Sequence, residues 1–268
     1  KVQPGDLFVC ITGFQTDGHR YIPMALEKGA AALLVEHAVE DVPENITVIQ
    51  TKNNRQALAA LSANFYDHPT EKISVTGVTG TNGKTTTVQM TRSILQAGGY
   101  EAQAVGNVGS PVVLAAANAK AQVLAVELSS FQLYTVKSLS ALAAVCLNLD
   151  ADHLDWHGSR EAYVQAKARV YERTKVAALY NQQDCQTLQM VLDADVIAGC
   201  RAIGFTTGTP DIYQLGIVEN MLVDRAYSPN PQKEAIALAG LGDFHYYQGE
   251  PGITVLQTAL AAAGLTRA

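Results

Sequence analysis

A glycine-rich segment between a strand and a helix carries the clearest chemistry in the sequence. Residues 77–86 read Gly-Val-Thr-Gly-Thr-Asn-Gly-Lys-Thr-Thr, follow a β-branched run at 73–76 and precede a helical pattern over 85–97. Small residues let backbone N–H groups surround an anion, and the helix N-terminus adds partial positive charge. Val78 stands at the first glycine position of the common GxxxxGK[ST] pattern, and the glycines fall at 77, 80 and 83. The segment predicts a phosphate-binding loop.

Two residues of the loop have specific expected roles. Lys84 would reach the outer phosphates of a nucleotide, and the Thr85 hydroxyl would ligate Mg²⁺. A plain glycine turn would need neither the charge nor the hydroxyl. A GTPase would add an Asn-Lys-x-Asp motif after a later strand, and the sequence contains none. The predicted ATP-binding residues are Gly80, Thr81, Asn82, Gly83, Lys84, Thr85 and Thr86.

Three further residues could serve a nucleotide and its metal ion. Glu127 closes the apolar run 123–126, and His153 follows the apolar run 141–149. Ligands bind at the carboxyl ends of parallel strands, so both side chains would face the crevice beside the loop. Taken alone, a glutamate at a strand end is more often structural. Lys167 lies on a helix predicted over 159–173, with Ser159 as its N-cap, and a helical lysine is more often a solvated charge. The predicted metal ligands are Thr85, Glu127 and His153.

The elements that must position these residues form two α/β patterns. Short strands and helices alternate over residues 1–70, with a turn-rich linker at 67–70. From residue 71 to 268, apolar strands alternate with helices, which is typical of a doubly wound, mainly parallel sheet. We therefore predict an α/β fold with a small amino-terminal domain, residues 1–70, and a P-loop-type domain, residues 71–268.

Composition narrows the class of protein. The net charge of −6 gives no basic face for a nucleic-acid polymer, and 48% apolar residues provide a sizeable core. The four cysteines are scattered without metal-ligand spacing, which indicates reduced thiols. No apolar run approaches the roughly 20 residues that cross a bilayer. We expect a soluble, cytoplasmic monomer that binds neither nucleic acid nor membrane.

The motifs together resemble the Mur ligase family, which builds the peptide stem of peptidoglycan. Besides the loop, the matching segments are Glu127-Leu-Ser-Ser130, Asn148 with Asp152-His-Leu-Asp155, and Tyr163-Val-Gln-Ala-Lys-Ala-Arg169. They occur in the family's order and spacing and cover residues 71–225.

The resemblance implies an activity and its participants. ATP would phosphorylate a carboxylate of a UDP-MurNAc-peptide, and an amino acid would attack the acyl phosphate. Mg²⁺ would assist, with Lys84, His153 and Lys167 as catalytic residues. Lys167 matches the lysine that is carbamylated in this family.

The resemblance to subtypes is mixed. The central part, with Gly106-Asn-Val-Gly109 and Ser129-Ser-Phe-Gln-Leu133, is similar to the D-glutamate-adding ligase. The amino-terminal part, with Gly13-Phe-Gln-Thr-Asp-Gly-His19, is similar to the diamino-acid-adding ligase. The implied substrate-binding residues are Phe14, Gln15, Thr16, Asn107 and Ser129. A natural hybrid, a reconstructed sequence and an engineered chimera would each explain the mixture.

The sequence also departs from the family pattern. Neither residues 243–248 nor residues 251–258 supply the asparagines that bind adenine in the family, and the chain ends where the family continues into a third domain. A non-catalytic, truncated or chimeric fragment that only binds nucleotide or UDP-sugar is therefore the alternative hypothesis. The related folylpolyglutamate synthetases share the ATP-binding core, but residues 14–19 belong to a nucleotide-sugar domain and disfavour them.

Overall fold

The chain divides into two compact units, Lys1–Asp67 and His68–Ala268. The structure, a computed structural model, describes residues 2–13, 16–68, 72–117, 120–244 and 253–268. Within these ranges, none of the helices has the length and apolar character needed to span a bilayer.

The first unit is a small parallel sheet with two helices. Its strands, β1 (Leu7–Val9), β2 (Ala32–Val35) and β3 (Thr47–Gln50), pair in that order. Helix α1 spans Ile22–Glu27, and helix α2 spans Asn54–Phe65 after the N-cap Asn53. The buried Asn54 amide donates to carbonyls at the ends of β1 and β2, at Cys10 and Leu34, and so ties α2 to the sheet.

The second unit is built on a nine-stranded sheet. Its strands are β4 (Ser74–Thr79), β5 (Ala102–Gly106), β6 (Val123–Glu127), β7 (Ala143–Cys146), β8 (Ala177–Asn181), β9 (Arg201–Phe205), β10 (Gln214–Val218), β11 (Met221–Asp224) and β12 (Ile236–Gly240). They pair in the order β12-β11-β10-β9-β8-β7-β4-β6-β5. The pairs from β5 to β10 are parallel, and β11 and β12 add an antiparallel edge.

Helices connect and cover these strands. They are α3 (Lys84–Ala97), α4 (Val112–Ala117), α5 (Ser130–Thr135), α6 (Leu154–His157), α7 (Arg160–Ala168), α8 (Cys185–Leu192) and α9 (Val255–Arg267). Side-chain oxygens of Ser159, Asp184 and Thr254 cap the amino termini of α7, α8 and α9. Helix α9 packs against α3 and against strands in the middle of the sheet.

Strand order creates a crevice at the end of β4. The chain runs from β4 to the outer strand β5, returns through β6 beside β4, and then crosses to β7 on the other side of β4. This reversal is the topological switch point at which open α/β sheets bind ligands. The predicted α/β class with a mainly parallel sheet is therefore confirmed.

The structure corrects several predicted elements. The helix predicted over 159–173 ends at Ala168 and continues only as a 3₁₀ turn, Arg169–Tyr171. The strand predicted over 141–149 spans only Ala143–Cys146, because the chain then turns to contact the phosphate loop. Strands β5 and β12 and helices α4 and α5 have weak local patterns, and the sequence did not predict them.

Candidate nucleotide-binding site

The predicted phosphate loop lies between β4 and α3, and two of its glycines are required by its backbone. Gly80 has φ +148° and Gly83 has φ +80°, which side-chain-bearing residues rarely adopt. A Cβ atom at Gly80 would lie 3.0 Å from Leu147 Cβ, and one at Gly83 would lie 2.8 Å from Ile253 Cγ2. The loop is thus packed between the end of β7 and the segment that opens α9.

Asn148, just beyond β7, holds the loop in shape. Its Oδ1 accepts hydrogen bonds from the backbone N–H groups of Thr81 and Asn82, at 3.0 and 2.9 Å. Its Nδ2 donates to the Asn82 carbonyl at 3.1 Å. These two N–H groups therefore support the loop rather than face a ligand. In the described part of the chain, no acceptor takes the N–H groups of Lys84, Thr85 and Thr86 in the first turn of α3.

Two lysines converge on one carbonyl of the loop. Lys84 Nζ donates to the carbonyls of Gly80 and Thr81 at 3.0 and 2.7 Å. Lys167 Nζ, from α7, donates to the same Gly80 carbonyl at 2.7 Å and lies 4.9 Å from the centre of the Tyr163 ring. Lys167 is only 3% exposed, and this burial, with the nearby Lys84 cation, lowers its pKa to about 8. The neutral amine is therefore more accessible than in an exposed lysine.

Glu127 ends β6 beside the loop as a buried carboxylate. The strand register sets Glu127 opposite Val78 of β4 and Gly106 of β5. Its side chain is only 2% exposed, and it accepts hydrogen bonds from the Thr85 hydroxyl at 2.7 Å and the Asn107 amide at 3.0 Å. Within the described ranges, no lysine, arginine or histidine forms an ion pair with it. A buried carboxylate with only neutral partners is a strong candidate for holding a cation.

His153, the third predicted metal ligand, has different neighbours. Its Nε2 lies 3.3 Å from Asp152 Oδ2, and its ring lies 4.8 Å from the Phe131 ring. Its side chain is about half exposed. The fold therefore joins Thr85 to Glu127 directly, whereas the side-chain contacts of His153 are with Asp152 and Phe131.

The predicted substrate-binding residues have mixed placements. Ser129 caps α5, since its Oγ accepts from the Gln132 N–H group in a reciprocal capping box. Asn107 orients Glu127. In the first unit, Thr16 is exposed and its carbonyl accepts from the Gly13 N–H group at 2.9 Å. Phe14 and Gln15 lie outside the described residues.

A cavity of about 390 Å³ lies beside the loop, at the carboxyl ends of β7 and β8. Gln257 at the start of α9 lines it, and the sequence assigned this residue no role. Its Oε1 accepts from the Thr254 N–H group at 2.8 Å, and its Nε2 donates to Gln183 Oε1 at 2.9 Å. The lining is mainly amide and charged side chains: Asn82, Asn148, Asp150, Arg160, Asn181, Gln183, Asp184, Gln186 and Gln257.

The fold and this loop define a P-loop-type α/β protein with a nucleotide crevice at the switch point. The family described as "Mur ligase middle domain" matches residues 78–247, and "Mur ligase family, catalytic domain" matches residues 1–66. The chain belongs to the Mur ligase family.

Similar proteins agree with this assignment. The chain is 54% identical over 192 residues to the UDP-N-acetylmuramoylalanine–D-glutamate ligase of Streptomyces coelicolor, which covers 71% of this chain and 40% of that protein. It is 45% identical over 200 residues to the same-named ligase of Leifsonia xyli, and the match covers 71% of this chain and 38% of that protein. The chain thus spans about 40% of the length of these curated relatives.

Solved structures share the fold. The MurF ligase of Thermotoga maritima, in complex with ADP, superposes with a TM-score of 0.63 at 22% identity, covering 100% of this chain and 61% of that one. A UDP-N-acetylmuramoyl-L-alanyl-D-glutamate–2,6-diaminopimelate ligase superposes with a TM-score of 0.70 at 20% identity. The superposition covers 99% of this chain and 57% of that one.

Proposed function

We propose that this chain supplies the ATP-binding site of a ligase that adds D-glutamate to UDP-MurNAc-L-alanine in peptidoglycan synthesis. The observation that carries the proposal is the buried Glu127 carboxylate hydrogen-bonded to Thr85 at the mouth of a phosphate loop. The choice of D-glutamate rests on the names of the relatives, which match 71% of the chain. The γ-phosphoryl group of ATP passes to the acceptor carboxylate, and the amine of the amino acid displaces phosphate from the acyl phosphate.

The first turn of α3 is the proposed anion-binding surface. The N–H groups of Lys84, Thr85 and Thr86 point from a helix N-terminus, where they and the helix dipole favour phosphate oxygens. Lys84 exchanges at least one of its carbonyl contacts for a phosphate oxygen, because its ammonium group already lies within the loop. It thereby stabilises negative charge that develops during phosphoryl transfer.

The oxygen donors beside the loop fit a magnesium ion. Mg²⁺ prefers carboxylate and hydroxyl oxygens, and Glu127 and Thr85 present both next to the proposed phosphate position. The ion would neutralise phosphate charge when bound. Asn107 holds the Glu127 carboxylate in orientation, and His153 is the proposed additional ligand from the neighbouring strand end.

Lys167 is the proposed site of carbamylation. Carbamylation needs a neutral amine, and the lowered pKa of about 8 supplies one. The carbamate would replace this buried amine by an anion near the proposed metal site.

The remaining parts of the substrates have proposed places in each unit. The base of ATP occupies the cavity beside the loop, where the amides of Gln183 and Gln257 stand in for the asparagines expected of the family. Phe14, Gln15 and Thr16 of the first unit contact the uridine end of the acceptor. Ser129 and Asn107 of the second unit are the other proposed substrate-binding residues.

Calorimetric titration of the chain with Mg-ATP tests the proposal. We expect saturable binding that weakens about 10- to 100-fold in Lys84→Ala, because a charge-assisted hydrogen bond to phosphate is lost. Removal of Mg²⁺ with a chelator should also weaken it. Lys175→Ala, which removes an exposed lysine on the same unit, is the matched control and should bind normally. Absence of binding to the folded wild-type chain, or normal binding by Lys84→Ala, would overturn the assignment.

A further inference from the structure

His153 has a backbone conformation that is uncommon for residues other than glycine. Its φ is +51°, in the left-handed region. This conformation costs about 1–2 kcal/mol for a residue with a side chain, so contacts that stabilise it matter for the placement of His153. Neighbouring elements supply such contacts.

The single-turn helix α6 begins immediately after His153. A hydrogen bond joins it to α5. The N–H groups of Trp156 and His157 donate to the His153 carbonyl, so the turn and His153 form one unit. At the end of this turn, His157 Nε2 lies 2.9 Å from the hydroxyl of Ser130, which is buried. Gly158 then ends the helix with φ +79°.

Contacts between aromatic rings also join α5 to the segment from His153 to His157. The Phe131 ring lies 4.8 Å from the His153 ring, 4.8 Å from the Trp156 ring and 5.8 Å from the His157 ring, the last nearly parallel. Tyr134, one turn further along α5, meets Trp156 edge-on at 5.2 Å. Ring pairs at these separations attract one another beyond the burial of their surface.

Helix α5 is itself fixed to the nucleotide site. It starts three residues after Glu127, and Ser129 and Gln132 cap it. The Leu128 carbonyl accepts from the Thr79 hydroxyl at 2.7 Å, next to the phosphate loop. Burial lowers the pKa of His157, and the neighbouring His153 and Lys167 lower it further.

We propose that Ser130, Phe131 and His157 are positioning residues that hold His153 in its left-handed conformation beside the nucleotide site. These three residues, called the bracket below, link α5 to α6. The hydrogen bond between Ser130 and His157 fixes the end of the turn, and the Phe131 ring fixes the His153 ring. Their contribution to ligation rests on the proposed function, but the bracket itself is a property of the chain without ligands.

Histidine side-chain NMR of the full chain tests the bracket. The chain has six histidines, and the signals that disappear in His153→Gln identify His153. We expect the Phe131 ring to shift these signals away from their values in unfolded peptides. In Ser130→Ala the shift should fall by at least about half, and Mg-ATP affinity by about threefold to tenfold, the worth of one hydrogen bond. His157→Gln, whose amide can still reach the Ser130 hydroxyl, should retain part of the wild-type shift.

Ser140→Ala is the matched control, because the Ser140 hydroxyl also forms a hydrogen bond, donating to the Arg173 carbonyl at 2.9 Å, away from this cluster. It should leave the His153 signals unchanged. A Ser130→Ala variant that lowers the melting temperature yet keeps the wild-type His153 shift would overturn the proposal. If wild-type protein binds no Mg-ATP, the proposed function fails, and the His153 shift still decides the bracket.

Discussion

Two buried charges dominate the site at the residue scale. Among the described residues, the Glu127 carboxylate has a hydroxyl and an amide as its side-chain partners, and Lys167 has a carbonyl and the face of a tyrosine ring. Burying a charge without an opposite charge costs free energy, so such groups persist where a ligand or a modification completes them. A cation beside Glu127 and a carbamate on Lys167 would relieve both costs. We therefore expect a bound cation and a modified Lys167 to stabilise the site.

Lys167 gives a direct test at this scale. Its pKa is lowered to about 8, so the neutral amine that reacts with carbon dioxide accumulates as pH rises through that value. With ¹³C-bicarbonate, we expect a carbamate signal that grows between about pH 7 and pH 9. The signal should vanish in Lys167→Met and persist in Lys175→Met. A wild-type chain without the signal would leave Lys167 as an unmodified cation.

At the scale of elements, the phosphate loop depends on contacts from three directions. Asn148 after β7 holds its backbone, Lys167 from α7 holds the Gly80 carbonyl, and the start of α9 packs on Gly83. Helix α9 is anchored at its other end, where Arg267 forms an ion pair with the fully buried Asp224. The loop conformation is thus a property of the assembled sheet and helices.

Gly83→Ala tests the packing of α9 on the loop. The new Cβ would meet Ile253 Cγ2 at 2.8 Å and would also be strained by φ +80°. We expect a loss of roughly 2–4 kcal/mol in the free energy of unfolding, measured in urea, and weaker Mg-ATP binding.

Gly99→Ala separates the two causes. Gly99 has a similar φ of +86°, but among the described residues no atom beyond its chain neighbours lies within 4 Å of the Cβ position. It should cost only about 1–2 kcal/mol from backbone strain and leave Mg-ATP affinity unchanged. Equal losses in the two variants would argue against a packing role for α9.

At the scale of the whole molecule, two compact units carry different proposed tasks. The first has its own small core around Cys10, Ile22, Leu33 and Val35. The second has a larger core on both faces of its sheet. All the residues proposed to bind ATP lie in the second unit, and those proposed to contact uridine lie in the first.

A fragment of residues 72–268 should therefore keep one activity and lose another. We expect it to bind Mg-ATP within about threefold of the full chain, since a unit with its own core can fold alone. It should lose measurable affinity for UDP-MurNAc-L-alanine, which we expect the full chain to bind. Calorimetric titration of both proteins with both ligands gives the answer. A fragment that still binds the UDP-sugar would refute the division of tasks.

Local patterns account for the parts of the fold that the sequence predicted. The phosphate loop, the strand ending at Glu127 and the Ser159 N-cap each follow from residue types close together in the chain. Strand β5 has the sequence Ala-Gln-Ala-Val-Gly, with one β-branched residue, so its pairing with β6 rather than its propensity makes it a strand. Helix α5 is only six residues long, and its capping and packing decide it.

By itself, the sequence determined the fold class and most of the chemical groups, because glycines, lysines and strand-end carboxylates are local signals. Only the tertiary structure decided which of them meet. Lys167 contacts Gly80 across 87 positions, Asn148 contacts Thr81 across 67, and Gln257 contacts Gln183 across 74. The order of strands in the sheet sets such contacts, and no local periodicity encodes that order. For the same reason, the sequence predicted His153 as a ligand but not the rings that hold it.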